Sequence, residues 1–321
     1  MSTLIFAETW EGHFKKATYE AVSYGAKVAQ MQGSEAVAVV LGNCHDDLSV
    51  LGKYGAQKVL HLASESLNHF NPKNHALAIN EVANSLGALA VVVSGTFNGK
   101  SIVPALAIAL KASPITNICA LPDSVRPLLV KRSAFSSKGY VVFESQLEKS
   151  ILSIIPNGIG VHEIPASPEV SSFDFQPASS NTQLVSVDRA KGSIPLPEAE
   201  IVVSGGRGLK GPENWKMLEE LAEVLGAGTA CSKPVSDMHW RPHSEHVGQT
   251  GIAINPNLYI AVGISGAIQH LAGVSNSKTI VVINSDSEAP FFKAADYGIV
   301  GDAFDVVPKL TAAIKNFKAQ N

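Results

Sequence analysis

Between residues 202 and 302, short apolar runs repeatedly end in small, polar or charged residues. The first, at 201–204, leads into Gly205-Gly206-Arg207-Gly208. A guanidinium held among glycines can pair bidentately with a phosphate or pyrophosphate, while the small residues let a ligand approach the backbone. Ser232-Lys233, Val247-Gly248-Gln249-Thr250-Gly251 and Gly263-Ile264-Ser265-Gly266-Ala267 follow, with His270 close behind the last and Asn284 and Asp302 further on. Apolar runs that end in small residues and lead into helical patterns expose backbone N–H groups at the turn, a setting for phosphates and flat polar rings. The Gly205 turn is not G-x-G-x-x-G, and no acidic residue follows at the distance that fingerprint needs. A Rossmann NAD site is therefore not the natural reading.

Other chemistries can be weighed on their residues. Gly95, Gly99, Lys100 and Ser101 follow an apolar run in the setting of a P-loop, but one residue too few separates the glycines to cradle a phosphate, which leaves a capped helix start. His239, His243, Glu245 and His246 in HWRPHSEH could ligate zinc, yet their spacing matches no motif with a defined mechanism and the stretch runs straight into VGQTG. It reads better as a loop bordering a ligand or a partner. Cys231 lies near the cation of Lys233, which lowers a thiol pKa, but no base or orienting group accompanies it, and a small apolar filler at a strand end is expected. No G-x-S-x-G elbow stands in a usable context, so hydrolase chemistry is not expected.

The elements that must position these residues follow from hydrophobic period. Ala17, Ala21, Tyr24, Val28 and Met31 form one face of a helix over 14–32, with Gly33 suited to its end. Strands are predicted at 35–41, 58–62 and 89–93, and helices near 46–54, 74–86 and 99–111. Strands separated by single helices imply parallel pairing in an open doubly wound sheet. After Ile115, LLVKRSAF, GYVVFESQ and SILSIIP follow one another without room for helices, which predicts antiparallel strands added at an edge. From 162 to 200 prolines at 165, 168, 177, 195 and 197 imply an extended connection, with a strand at 183–187 and a domain boundary close to Lys191. A second α/β unit begins with the strand at 201–204 and a helix over 213–225. The fold class is thus α/β, with two Rossmann-like domains, 1–190 and 191–321, and mainly parallel sheets.

Composition narrows the class further. The 321 residues suit about two domains of roughly 150 residues each. A hydrophobic share of 45% with 17% charged residues is that of a globular protein, and a net charge of −3 gives no general reason to bind nucleic acid or an anionic membrane. Three widely spaced cysteines, Cys44, Cys119 and Cys231, argue for a reducing compartment. MSTLIFAETWEG shows no secretory signal pattern, and no apolar run approaches the roughly 18 residues of a membrane span. A cytoplasmic location without membrane insertion is expected.

Taken in order, Gly205-Gly206-Arg207-Gly208-Leu209-Lys210 with Glu213-Asn214, then Val247-Gly248-Gln249-Thr250-Gly251, then the stretch from Gly263 to His270, then Asn284 and Asp302 resemble the signature of electron-transfer flavoprotein α subunits. The likeness is strong from Val202 onward and looser before it. It implies FAD in the C-terminal domain, with its ring facing a β subunit. Arg207 would then lie against the ring or pyrophosphate, and Ser232 and Lys233 beside the ring. Gln249, Thr250 and Gly251 would approach the isoalloxazine, with the Thr250 hydroxyl near N5. Ser265, Gly266 and Ala267 would meet the phosphates, His270 the pyrimidine edge, and Asn284 and Asp302 the adenosine portion. These types suit the tasks: N5 needs a group that both donates and accepts, and charge arriving at N1 and O2 is stabilised by a cation or an imidazole donor. Lys233 departs from the family's usual arginine; the charge survives but the planar fork does not.

The same resemblance implies an electron carrier rather than a substrate-converting enzyme, in keeping with the missing acid/base and nucleophile sets. Its partners would be the β subunit, expected to hold AMP, acyl-CoA dehydrogenases of fatty-acid β-oxidation and other flavin dehydrogenases as donors, and a membrane quinone oxidoreductase as acceptor. The N-terminal domain would contact the partner. The alternatives are a subunit of an NADH-oxidising, electron-bifurcating complex and a flavin or nucleotide sensor without electron transfer.

Overall fold

The computed structural model describes residues 2–135, 139–176, 185–187 and 195–320. The chain divides into two compact units, residues 1–133 with 140–187, and residues 188–321 with the short segment 134–139.

In the first unit the elements run β1 (Ser2–Phe6), β2 (Thr9–Trp10), β3 (His13–Phe14), α1 (Lys16–Gln32), β4 (Glu35–Leu41), β5 (Lys58–Leu62), α2 (Pro72–Ser85), β6 (Ala90–Ser94), α3 (Phe97–Leu110), β7 (Ser113–Ile118), β8 (Ser124–Val125), β9 (Leu128–Ala134), β10 (Gly139–Glu144), β11 (Ser150–Ile154) and β12 (Glu169–Ser172). The main sheet has the order β10-β9-β7-β11-β6-β1-β4-β5-β12. From β7 to β12 every neighbouring pair is parallel, while β9 pairs antiparallel with both β7 and β8. Strands buried on both faces must be apolar at successive positions, and EAVAVVL in β4 is: Val37 and Val39 enter one core with α2 and α3, Ala38 and Val40 another with α1. The helix 16–32 ends as expected at Gly33, whose φ is 65°.

Two expectations are corrected here. The run containing SILSI is not an antiparallel edge strand: β11 lies in the interior of the sheet, parallel to both β6 and β7. All five of its residues are buried, with Ile151 in one core and Leu152 and Ile154 in the other. Such two-sided burial is available only inside the sheet, so the chain steps outward through β9 and β10 and returns to fill the gap. The short helix expected near 46–54 is a 3-10 helix over Leu48–Tyr54, capped by Asp47, whose carboxylate accepts the Ser49 N–H at 2.9 Å. The proline-rich stretch carries the strand β12, which the sequence did not announce. Lys191 and the start of the strand expected at 183–187 lie outside the described residues; 185–187 are described and are not strand.

In the second unit the elements are β13 (Ile201–Gly205), α4 (Lys216–Leu225), β14 (Gly228–Cys231), α5 (Lys233–Asp237), β15 (Leu258–Val262), α6 (Ile268–Val274), β16 (Thr279–Asn284), β17 (Tyr297–Val300) and α7 (Ala303–Gln320). The helix expected over 213–225 begins instead at Lys216, after a 3-10 turn that buries Trp215. Five parallel strands pair in the order β14-β13-β15-β16-β17. Val202, Tyr259 and Val282 point into one core, Val203, Ile260 and Ile283 into the other with α4 and α7. Both units are doubly wound α/β folds, the first with antiparallel strands at its edge.

Candidate functional site

The register of the second sheet aligns the carboxyl ends of its strands. Gly205 is level with Cys231 and Val262, Ile283 with Val262, and Val300 with Asn284. The residues after these positions, including Arg207, Ser232, Ser265 and Asp302, therefore share one edge. From β13 the chain first goes outward to β14 and then crosses back to β15, so β13 and β15 flank the topological switch point, where open α/β sheets take ligands.

At that point two glycine turns lie against each other. The N–H of Gly206 donates to Val262 O at 2.9 Å and that of Gly208 to Gly263 O at 3.1 Å. A Cβ on Gly206 would stand 2.1 Å from Gly263 O, and one on Gly208 2.7 Å from Gly263 Cα. Gly263 itself has φ of 62°, the left-handed region that favours glycine. The floor of the crevice is consequently bare backbone. Arg207 projects exposed from a 3-10 turn, and Lys210 beside it lies 3.9 Å from Asp302.

Ser232 is buried where β14 ends, its N–H donating to Gly205 O at 3.1 Å, and Lys233 opens α5 exposed, 3.4 Å from Asp237. The VGQTG segment makes a closed turn: Gly251 N–H donates to Gly248 O at 3.1 Å and Ile252 N–H to His246 O at 2.9 Å. Gln249 N–H ties the turn to α6 through Gln269 O at 2.7 Å. A Cβ at Gly251 would meet His246 O at 2.3 Å, so this glycine is required by close approach. The side chains of Gln249 and Thr250 remain exposed.

Beneath this turn lies a polar cluster within the core. Tyr259 is fully buried in the middle of β15, and its Oη stands 2.8 Å from His270 Nε2. Phe291 packs against both rings, at 6.2 and 5.8 Å between centroids. Burial pushes His270 down to about 4, helped by His246 and opposed by the Val247 backbone. The ring is therefore neutral at ordinary pH. Burial raises the Tyr259 hydroxyl, with Ser204 pulling the other way. His246 is also held low, by burial first and then by His243 and Lys233, against Asp237. Both His270 Nδ1 and His246 Nδ1 are buried without a hydrogen-bond partner.

The remaining expected residues divide by what already holds them. Ser265 and Ala267 are exposed, and Gly266 between them has φ of 84° with a would-be Cβ 2.6 Å from the Phe291 backbone nitrogen. Asn284 has both ends of its amide engaged, donating to Ile264 O at 3.0 Å and accepting from Asp286 N–H at 3.0 Å. Asp302 caps α7 by accepting the Phe304 N–H at 2.9 Å. These two shape the edge through their own turns.

The rival chemistries are placed too. In HWRPHSEH the organising residue is Arg241, bidentate to Glu245 at 2.8 and 2.6 Å and bonded to Glu219 at 2.8 Å. Among the described residues no group of three or more His, Cys, Asp or Glu is placed to hold a metal ion. Burial pushes the Cys231 thiol up to about 12, the state of an inert filler. At the start of α3, Thr96 Oγ1 accepts the Gly99 N–H at 3.0 Å, while the Glu8 carboxylate accepts from Thr96 and Asn98 side chains at 2.6 and 2.8 Å. A resident carboxylate there disfavours a phosphate. Tyr259, Ser204 and Phe291 were not anticipated as site residues, and His246 was expected only within a loop bordering a ligand or a partner. Tyr259 and Phe291 read as ordinary core positions, and nothing local marks their partner.

The chain matches the family model described as "Electron transfer flavoprotein domain" over residues 3–176 and that described as "Electron transfer flavoprotein FAD-binding domain" over residues 195–275. It is 36% identical to the electron transfer flavoprotein subunit alpha of Syntrophomonas wolfei over 98% of this chain and 99% of that one. It is 35% identical to the corresponding subunit of Bacillus subtilis over 97% of each chain. The mitochondrial subunit of Oryza sativa subsp. indica is 32% identical over 99% of this chain and 92% of its own. The site fits FAD on its own observations: glycine turns that a Cβ would fill, two exposed cations at the same edge, and an orphaned buried imidazole nitrogen beneath. The chain belongs to the electron transfer flavoprotein α-subunit family and carries that family's FAD-binding domain.

Proposed function

We propose that the chain, paired with an electron transfer flavoprotein β subunit that holds AMP, accepts electrons from acyl-CoA and other flavin dehydrogenases and passes them to a membrane quinone oxidoreductase. The observation that carries this reading is the pair of glycine turns at the switch point, Gly206–Gly208 against Gly263, which leaves backbone and exposed cations open at one sheet edge. FAD, when bound, supplies one- and two-electron redox chemistry. Arg207 would hold the pyrophosphate or ring, Ser265, Gly266 and Ala267 the phosphates, and Gln249, Thr250 and Gly251 the isoalloxazine. Ser232 with Lys233 would border the ring and His270 its pyrimidine edge, Lys233 bringing positive charge to a ring that gains negative charge. Asn284 and Asp302 would line the adenosine end. The three cysteines are unbridged, which suits the cytoplasm. No described helix is long and apolar enough to cross a membrane. The first unit, residues 1–190 as a domain, would serve partner contact.

The test is co-expression with the β subunit. A yellow complex whose flavin is reduced by an acyl-CoA dehydrogenase with its substrate supports the proposal. Rapid bleaching by NADH alone would transfer the chain to a bifurcating complex, and reduction by neither would leave a flavin sensor.

A further inference from the structure

The loop between α5 and the VGQTG turn is built around one side chain. His239 bends it with φ of 57°, in the left-handed region, and the Trp240 N–H returns to Val235 O at 3.1 Å. From there Arg241 reaches forward: its Nε and Nη2 donate to Oε2 and Oε1 of Glu245 at 2.8 and 2.6 Å, a planar fork on a planar carboxylate. Its Nη1 donates to Glu219 Oε1 in α4 at 2.8 Å, and the guanidinium lies 5.5 Å from the centre of the Trp215 ring. The Arg241 and Glu245 side chains are 22% and 16% exposed, so water screens this pair far less than an ordinary surface ion pair.

Each end of this clamp meets one of the two ligand turns. Glu245 directly precedes His246, whose carbonyl accepts the Ile252 N–H at 2.9 Å and so closes the turn that bears Gln249 and Thr250. The Val247 N–H then donates to Cys231 O at 3.1 Å, one residue before Ser232. At the other end, the Trp215 ring packs on Gly205: a Cβ on that glycine would stand 2.5 Å from the ring. Gly205 ends β13 and leads into the turn that carries Arg207. One planar, multiply bonded group therefore joins the base of the first turn to the base of the second.

We propose that Arg241 is a positioning residue of the flavin site: held by Glu219 and Trp215 on one side and gripping Glu245 on the other, it sets the VGQTG turn relative to the glycine turn at 205–208. It acts through the backbone of both turns and touches no reacting atom. The consequence for FAD rests on the placement of Gln249 and Thr250 at the isoalloxazine proposed above; the hold on the turn does not. A lysine at this position keeps the charge and loses the fork, which separates geometry from charge.

The experiment compares the αβ complex, with FAD and after its removal, for the natural protein, Arg241→Lys, Glu219→Ala and Thr250→Ala. Amide exchange over 247–252 reads the turn without the cofactor, and FAD affinity with the visible circular dichroism of the bound flavin reads the site. In Arg241→Lys, exchange over 247–252 should quicken in the FAD-free complex while exchange in β15 stays as in the natural protein. FAD should bind roughly tenfold more weakly, the scale of one charged hydrogen bond, and the flavin dichroism should change. Glu219→Ala should do the same to a smaller degree, and it decides the matter if Arg241→Lys does not fold. Unchanged exchange over 247–252 overturns the proposal, as does a loss of overall stability with FAD affinity and dichroism unmoved while Thr250→Ala alters the flavin. If exchange quickens and neither Arg241→Lys nor Thr250→Ala alters the flavin, the hold on the turn is upheld and the placement of that turn at the flavin is overturned.

Discussion

Gly206 faces Gly263 so closely that a methyl group on its Cα would stand 2.1 Å from the Gly263 carbonyl oxygen. Both partners are backbone, so neither can swing aside as a side chain could. The approach follows from parallel pairing of β13 with β15, which brings Gly205 level with Val262 just before both turns. It keeps the ligand crevice free of side chains.

Gly206→Ala therefore forces the two turns apart. Overpacking of this kind costs about 1–3 kcal/mol. The variant complex should unfold at a lower denaturant concentration and retain little FAD. Full flavin content in a purified Gly206→Ala complex would show that the close approach is not needed for the ligand.

Lys233 is exposed and its pairing with Asp237 at 3.4 Å is a surface ion pair, worth about 0–1 kcal/mol. Lys233→Ala should leave stability nearly unchanged. If the ammonium borders the flavin, its removal disfavours the more negative reduced form, and the midpoint potential of bound FAD moves to lower values. Spectroelectrochemical titration reads this directly, and an unmoved potential would take Lys233 out of the site.

Glu20 in α1 is buried and accepts three backbone N–H groups, from Asn157 at 2.7 Å, Ile159 at 2.9 Å and Gly160 at 2.7 Å. This carboxylate fastens the turn after β11 to the helix. Glu20→Gln exchanges an acceptor for a donor that faces donors, and hydrogen bonds to charged groups contribute about 1.5–3 kcal/mol. The variant should lose stability on that scale, with faster amide exchange over 157–160. Unaltered exchange there would show that the turn is held by its own geometry.

His75 and His270 are both buried as neutral rings, each pushed down to about 4 by burial. The unfolded chain protonates at these residues around pH 6.5, whereas the folded chain resists until about pH 4. Their contribution is thus fully present above about pH 6.5 and is lost as pH falls toward 4, by on the order of 3 kcal/mol each at most. His75→Leu should flatten this acid limb relative to the natural protein. Urea midpoints compared at neutral pH and near pH 5 test it, and parallel losses in both proteins would refute the assignment.

Much of the architecture was legible in the residues themselves. EAVAVVL falls on β4 because a strand covered on both faces is apolar at successive positions, KVLHL on β5 because Val59, Leu60 and Leu62 are buried while Lys58 and His61 are only half-buried, and the Ala17-to-Met31 spacing falls on α1 because its period is helical. Gly33 ends that helix for a reason visible locally. SILSI was misjudged because its local pattern is that of any short apolar strand; its parallel place between β6 and β7 depends on strands far away in the chain. In the same way Glu20 reads as a polar residue on the outer side of a helix, and only the approach of residues 157–160 makes it a buried anchor.

For the site, the chain's own order of residues determined that glycine turns, an arginine, a hydroxyl and an imidazole recur after apolar strands, and that an FAD family was resembled. It did so because turn chemistry is local: a glycine and the residues beside it declare a backbone shape wherever the chain goes. Tertiary structure alone decided that the Asn284 amide donates to Ile264 O, that Glu8 occupies the start of α3, and that Tyr259 meets His270 inside the core. Those contacts join residues whose separation in sequence carries no period. They exist because parallel neighbours, β1 with β6 in the first unit and β15 with β16 in the second, end level with one another, so residues from different turns arrive at one edge.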